Sequence, residues 1–170
     1  MAKKQGPPKT NAARILDDLG VGYEIKVVRP DPSDLSAETA ARLLDAPMEI
    51  VYKTILLRGP EPSSLFEVCL PAGREVDLKA MARAAGCRSA SLVPLKDLFP
   101  LTGYHRGGCS PLGGRHRYPV YIHREALLRE KIYINAGQVG VMLLLAPGDL
   151  VRAAGAVPAD VARPPGPAGD

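Results

Sequence analysis

The chain has no tryptophan and only two phenylalanines, so its interior cannot be organised around large aromatic rings. The core has to be aliphatic, and apolar residues at 46% of the sequence are enough for a globular domain. Cysteine is scarce too. Cys69, Cys87 and Cys109 are an odd number with no C-x-x-C pair, which argues against a disulfide framework or a thiolate zinc site. No run approaches the roughly 18 apolar residues that cross a bilayer, so no membrane association is expected. The opening MAKKQGPPKTN has no apolar segment behind its lysines and does not read as a secretory signal. These absences point to the cytoplasm. Charge of one sign is also modest: a net +4 permits an anionic partner such as nucleic acid without demanding one.

What is present suits one domain, since 170 residues can close a single sizeable core. Residues 1–8 and 163–170 are polar or proline-rich and read as a flexible and a disordered tail around a domain at 9–162. Thr10 or Asn11 caps a helix through Leu19, stopped by Gly20, and VGYEIKVV follows as a strand. Ser36 caps a second helix, SAETAARLLD. EIVYKTILLRG is rich in β-branched residues and ends at Gly59-Pro60, with SLFEVCLPAG as its hairpin partner. DLKAMARAAG is a helix between Asp77 and Gly86. RYPVYIH, KIYINAG and VGVMLLLA read as strands, REALLREK as a short helix between the first two, and PGDLVRAAG as a final helix with Pro147 near its start. The pattern predicts an α+β fold: a mainly antiparallel, curled β-sheet or barrel flanked by short helices.

Two features carry possible chemistry. Lys53 sits among apolar neighbours in VYKTILLRG, where an ammonium is costly unless it is paired or serves a ligand. An edge-strand lysine that discourages aggregation is the plainer reading. The stretch TGYHRGGCSPLGGRHRYP concentrates glycines around Cys109, Ser110 and Pro111. It lacks the Gly-Lys-Ser/Thr of a phosphate-binding loop, and Pro111 after Ser110 rules out a G-x-S-x-G elbow. Gly107 and Gly108 let backbone amides approach a ligand, although glycine loops also serve simply as turns. Cys109 reads as a buried, inert thiol. His105, His116 and His123 lack the spacing of a zincin, so neither a metal nor any other cofactor is expected. Arg106, Arg115 and Arg117 make the loop basic, which suits either a solvated surface or a phosphodiester backbone.

Taken together, VYKTILL, TGYHRGGCSPLGGRHRYPVYI and IYINAGQVGVMLLLAPGDLVRAAGA, with DLKAMARAAG between the first two, resemble the YbaK/EbsC aminoacyl-tRNA deacylase family, also called the prolyl-tRNA synthetase editing-domain superfamily. The likeness runs from about Thr10 to Ala162. It implies a twisted sheet flanked by helices and hydrolysis in trans of the ester in mischarged aminoacyl-tRNA. Within the family the chain looks like those members that clear cysteine from tRNA(Pro), and sometimes from tRNA(Cys). The resemblance implies that Lys53 is the essential lysine, followed by Thr54. It implies that Gly107, Gly108, Ser110, Pro111 and Gly113 form the loop lining the aminoacyl pocket, with Gly137 and Gly140 on its wall. The chain departs from the family at Val28 and Leu35, where aromatics are common, and at Asn135, Gln138, Val139 and Met142.

No triad and no carboxylate pair is legible, so the expected mechanism is positioning plus electrostatics. Lys53 holds a phosphate or ribose oxygen at the 3′ end, and the amides of Gly107 and Gly108 polarise the carbonyl. A cysteinyl substrate brings its own thiol, which attacks the carbonyl and leaves as a thiolactone; otherwise water attacks. The expected partners are the aminoacyl-tRNA 3′ end and a prolyl-tRNA synthetase in a ternary complex. Two alternatives stay open: a deacylase for another small amino acid such as alanine on tRNA(Pro), and a non-catalytic binder of the tRNA 3′ end or of a synthetase.

Overall fold

The computed structural model describes residues 9–166; the expected N-terminal tail and residues 167–170 lie outside the described residues. Local chemistry places the first elements. Thr10 Oγ1 accepts from the Ala13 amide at 3.3 Å and starts α1 (Asn11–Asp18), after which Gly20 at φ 70° turns the chain into β1 (Glu24–Val27). Ser36 caps α2 (Ala37–Leu43) through the Thr39 amide, a bond of the kind worth about 1 kcal/mol. A short 3₁₀ turn at Met48–Ile50 precedes β2 (Tyr52–Arg58), which folds back on β3 (Leu65–Pro71) as the hairpin the sequence predicts.

Next come β4 (Glu75–Val76) and α3 (Leu78–Ala85), the helix capped by Asp77 and closed by Gly86 in the left-handed region. β5 (Ser91–Leu92) and α4 (Leu95–Thr102), with Pro100 inside it, lead into the glycine-rich loop. β6 (Val120–His123), β7 (Ile132–Gln138), β8 (Val141–Leu145), α5 (Pro147–Ala154), β9 (Val157–Ala159) and β10 (Ala162–Arg163) complete the described chain. REALLREK forms a 3₁₀ turn at Arg124–Leu128 rather than an α-helix, because β7 begins before a longer helix could close its bonds. Arg163, which the sequence assigns to the C-terminal tail, pairs in β10 with Glu75 of β4.

The architecture is α+β and antiparallel-rich. Among the described residues no closed barrel is seen, and the strands divide into a five-stranded sheet ordered β5-β2-β3-β6-β9, a three-stranded sheet β1-β8-β7, and the ribbon β10-β4. β5 and β9, at the edges of the large sheet, span only two and three residues, too few to carry a ladder onward into a closed wall. β6 pairs in the parallel sense with both β3 and β9. One parallel bridge, Val51 to Tyr133, ties the two larger sheets together.

That bridge positions the site. β3 takes one edge of β2 along its whole length. On the other edge, Val51 bridges to Tyr133, and β5 pairs only with Leu57 and Arg58. Tyr52–Ile55 therefore have a strand on one side only. The core around them is aliphatic, as the shortage of aromatics requires: Leu16, Ile122, Ile132, Ile134 and Leu143 are wholly buried.

Candidate functional site

A cavity of about 350 Å³ lies along the unpaired edge of β2, roofed by the start of α2 and by the glycine-rich loop. Because it follows an edge and not a face, residues of both parities line it, from Val51 through Ile55. Lys53 and Thr54, Gly107 and Arg106 of the loop, Leu35 before α2, and Asn135 and Met142 from β7 and β8 all border it. Residues as distant in sequence as Leu35 and Met142 thus meet here.

Lys53 is half-buried. Its Nζ donates to the Ala72 carbonyl at 3.1 Å, and among the described residues no carboxylate lies within ion-pair distance of it. Desolvation lowers its pKa from the ordinary lysine value, partly opposed by the charges of Glu38 and Glu75. An ammonium with one protein acceptor and two donors to spare is set to receive a ligand oxygen. Thr54 Oγ1 lies 3.5 Å from Cys69 Sγ across the hairpin.

The loop meets Lys53 from the other side. The Gly108 amide donates to the His105 carbonyl at 2.9 Å, closing a turn whose third residue, Gly107, has φ 80°. Glycine adopts that positive φ without strain. Gly108 itself does not border the cavity, and its N–H is spent on this turn. Gly107 and Cys109, on either side of Gly108 in sequence, do border the cavity, and among the described residues their amides have no protein acceptor. Asn135 pins the arrangement. Its Nδ2 donates to the Gly107 carbonyl at 2.9 Å, and its Oδ1 accepts from the Gly137 and Gln138 amides at the bulge in β7.

The remaining expected residues sit elsewhere. Ser110 is buried and accepts from the Leu112 amide. Pro111 and Gly113 border a second cavity of about 470 Å³ between the loop, α1 and α5. Gly137 packs on Tyr104, where a Cβ would come within 2.7 Å of the ring. Val28 donates its amide to the Gly140 carbonyl and does not reach the first cavity. Of the three expected tRNA-backbone arginines, only Arg106 borders that cavity. Arg115 donates to the Pro100 carbonyl and lies over the Phe99 ring, and Arg117 lines the second cavity.

Sequence reasoning missed Glu38, an exposed carboxylate at the cavity rim. The signal was the Ser36 cap, which fixes where the first turn of α2 points. The thiol of Cys109 is pushed up by burial well above the ordinary cysteine range, so it is not a thiolate nucleophile. Among the described residues no group of three His, Cys, Asp or Glu side chains is placed to hold a metal ion.

Lys53 and two loop residues whose amides have no protein acceptor among the described residues thus border one small cavity. The chain matches the model of the aminoacyl-tRNA editing domain over residues 31–153 and belongs to that family. It is 37% identical over 147 residues to a protein of Enterococcus faecalis named "Putative Cys-tRNA(Pro)/Cys-tRNA(Cys) deacylase EbsC", an alignment covering 86% of this chain and 89% of that protein. Among solved structures, the hypothetical protein APE2540 superposes with a TM-score of 0.80 at 24% identity, covering 90% of this chain and 99% of that one. A structure described as "a putative trans-editing enzyme for prolyl tRNA synthetase" superposes with a TM-score of 0.75 at 22% identity, covering 89% and 97%. At these identities the two structures speak for the fold. No helix among the described residues is long and apolar enough to cross a membrane.

Proposed function

We propose that the cavity beside β2 takes the aminoacyl end of a mischarged tRNA and hydrolyses its ester, with cysteine on tRNA(Pro), and also on tRNA(Cys), as the substrate. Membership of the editing-domain family supports deacylation, and the name of the Enterococcus relative supports cysteine. One observation carries the reading. The half-buried Lys53 ammonium, held only by a backbone carbonyl, shares a cavity with loop amides that have no protein acceptor. That is a cation for ribose or phosphate oxygens set opposite donors for a developing oxyanion.

In this mechanism Lys53 orients the 3′ end, and the amides of Gly107 and Cys109 polarise the scissile carbonyl. Gly108 serves by closing the turn that presents Gly107. Glu38 at the rim faces the α-ammonium of the aminoacyl group, and Leu35, Thr54 and Met142 bound its side chain. Ser110, Pro111 and Gly113 shape the loop from behind. With a cysteinyl ester the substrate thiol adds to the carbonyl, the C–O bond to the ribose breaks with its oxygen taking a proton, and water later opens the thiolactone. The apolar wall offers only about 1–3 kcal/mol for discriminating a methylene, so thiol chemistry supplies selectivity that shape cannot. Arg106, with Arg115 and Arg117 further out, meets the phosphate backbone. Residues 9–162 act as one domain in the cytoplasm, where a prolyl-tRNA synthetase in a ternary complex supplies tRNA identity.

Single-turnover assays on Cys-tRNA(Pro), Cys-tRNA(Cys), Ala-tRNA(Pro) and Ser-tRNA test this. Cysteinyl esters are expected to be cleaved and seryl esters to persist. Cleavage of none of them, or undiminished cleavage by Lys53→Ala, overturns the assignment.

A further inference from the structure

Next to the acyl cavity, and sharing Leu35 and Arg106 with it, is an apolar recess of about 320 Å³ walled by α4 and the start of the glycine-rich loop. We infer that this recess receives the terminal nucleobase of the substrate, with His105 and Phe99 as its stacking platform. The inference rests on the deacylase reading of the neighbouring cavity.

Connectivity of the substrate comes first. The ester joins the aminoacyl group to the ribose of the last nucleoside, so the base lies one sugar ring from the scissile carbonyl. With the acyl group beside Lys53 and Gly107, the base falls in an adjoining depression, and the recess adjoins at Leu35 and Arg106. Surface chemistry agrees. The Phe99 and His105 rings are stacked, with centroids 4.4 Å apart and planes 10° from parallel. Phe99 remains 43% exposed and Leu95 57% exposed, although both are large and apolar and the chain has only two phenylalanines. His105 covers one face of Phe99, and the Arg115 guanidinium also lies over that ring. The open stacking face is therefore that of the exposed His105, backed by Phe99, which suits a flat unpaired base whatever its edge carries. Arg106 stands where the two depressions meet, and Arg115 lies 5.5 Å over the Phe99 ring. Positive charge therefore flanks the platform where the phosphate of the last nucleotide would pass.

One turn ties the two sites together. His105 contributes its ring to the platform and its carbonyl to the Gly108 amide, and that bond sets the conformation of Gly107. A base docked on His105 thus lands on the same rigid turn that carries the amide facing the carbonyl.

The test pairs kinetics with a direct probe of stacking. In single-turnover deacylation of Cys-tRNA(Pro), Phe99→Ala and His105→Ala are expected to raise the enzyme concentration for half-maximal rate about 10- to 100-fold. The rate at saturation should change far less, and His105→Phe should behave as the unmodified protein does. A tRNA ending in 2-aminopurine should lose fluorescence on binding the unmodified protein and Lys53→Ala, but not Phe99→Ala. Quenching without any deacylation by the unmodified protein would leave the base site standing and remove the deacylase reading. Normal deacylation with an unchanged concentration dependence in both variants overturns the base site. So does a Phe99→Ala variant that loses only its affinity for a prolyl-tRNA synthetase, which would make the recess a protein-docking surface.

Discussion

The two halves of the glycine-rich loop make different cavities. Arg106, Gly107 and Cys109 border the space along β2, where a lysine stands without a carboxylate partner among the described residues. Residues 111–118 border the space between α1 and α5, where Glu67 of β3 is buried with Oε2 unpartnered, and Arg117 and Arg152 stand at the wall. The first half presents backbone and leaves a cation free; the second packs side chains and keeps a carboxyl neutral. Basic, glycine-rich composition alone does not say which half does chemistry. What separates them is the element each faces: an unpaired strand edge in one case, the buried face of a sheet in the other.

The comparison breaks most decisively at Lys53. Lys53→Ala is expected to cut single-turnover deacylation about 100- to 1,000-fold. The melting temperature should hold or rise, because a half-buried ammonium costs desolvation. Glu67→Gln is the counterpart in the second cavity. Burial raises the Glu67 pKa from 4.5 to about 8, so the native state favours the protonated acid. Its contribution to stability is full below pH 4.5 and is lost as the pH rises to about 8, on the order of 5 kcal/mol in all. Denaturant titrations across that range should show the slope in the unmodified protein and not in Glu67→Gln, with deacylation unaffected by the change.

A matched pair of glycines sharpens the contrast. Gly107 and Gly113 both have positive φ, and a Cβ on either would come within 2.9 Å of a neighbour, Leu35 in one case and Asn11 in the other. Each alanine variant should lose about 1–3 kcal/mol of stability. Only Gly107→Ala should also lower the rate per folded molecule. Cys109→Ala is expected to do least: a smaller side chain at a buried thiol, with deacylation intact because the residue acts through its amide.

Features set by neighbouring residues were legible in the sequence. The caps at Thr10, Ser36 and Asp77, the hairpin of β2 with β3, and the placing of Lys53 within a strand follow from short-range propensity. Features set by distant pairing were not. α4 carries a proline in its interior, and β4, β5, β9 and β10 are too short to show a period. Glu67 reads as a polar position of an ordinary strand, because only the packing of α1, α5 and the loop above it creates its burial. The role of Gly108 needed the backbone: residue type announces a flexible turn, but the hydrogen bond to His105 decides whose amide remains available. Arg115 and Arg117 share a charged run with Arg106 and still part from it, since the loop doubles back after Pro111.

The unpaired edge of β2 at Tyr52–Ile55 has one more consequence. A strand with hydrogen-bonding groups on an open side is a template for a strand from a neighbouring molecule. Here the first turn of α2 and the His105–Gly108 turn stand over that side. They shield a sticky seam as well as walling a cavity. Changes that loosen α2 at its Ser36 cap should therefore show first in solution behaviour, as intermolecular β-pairing and lost solubility, before any change in the chemistry of the site.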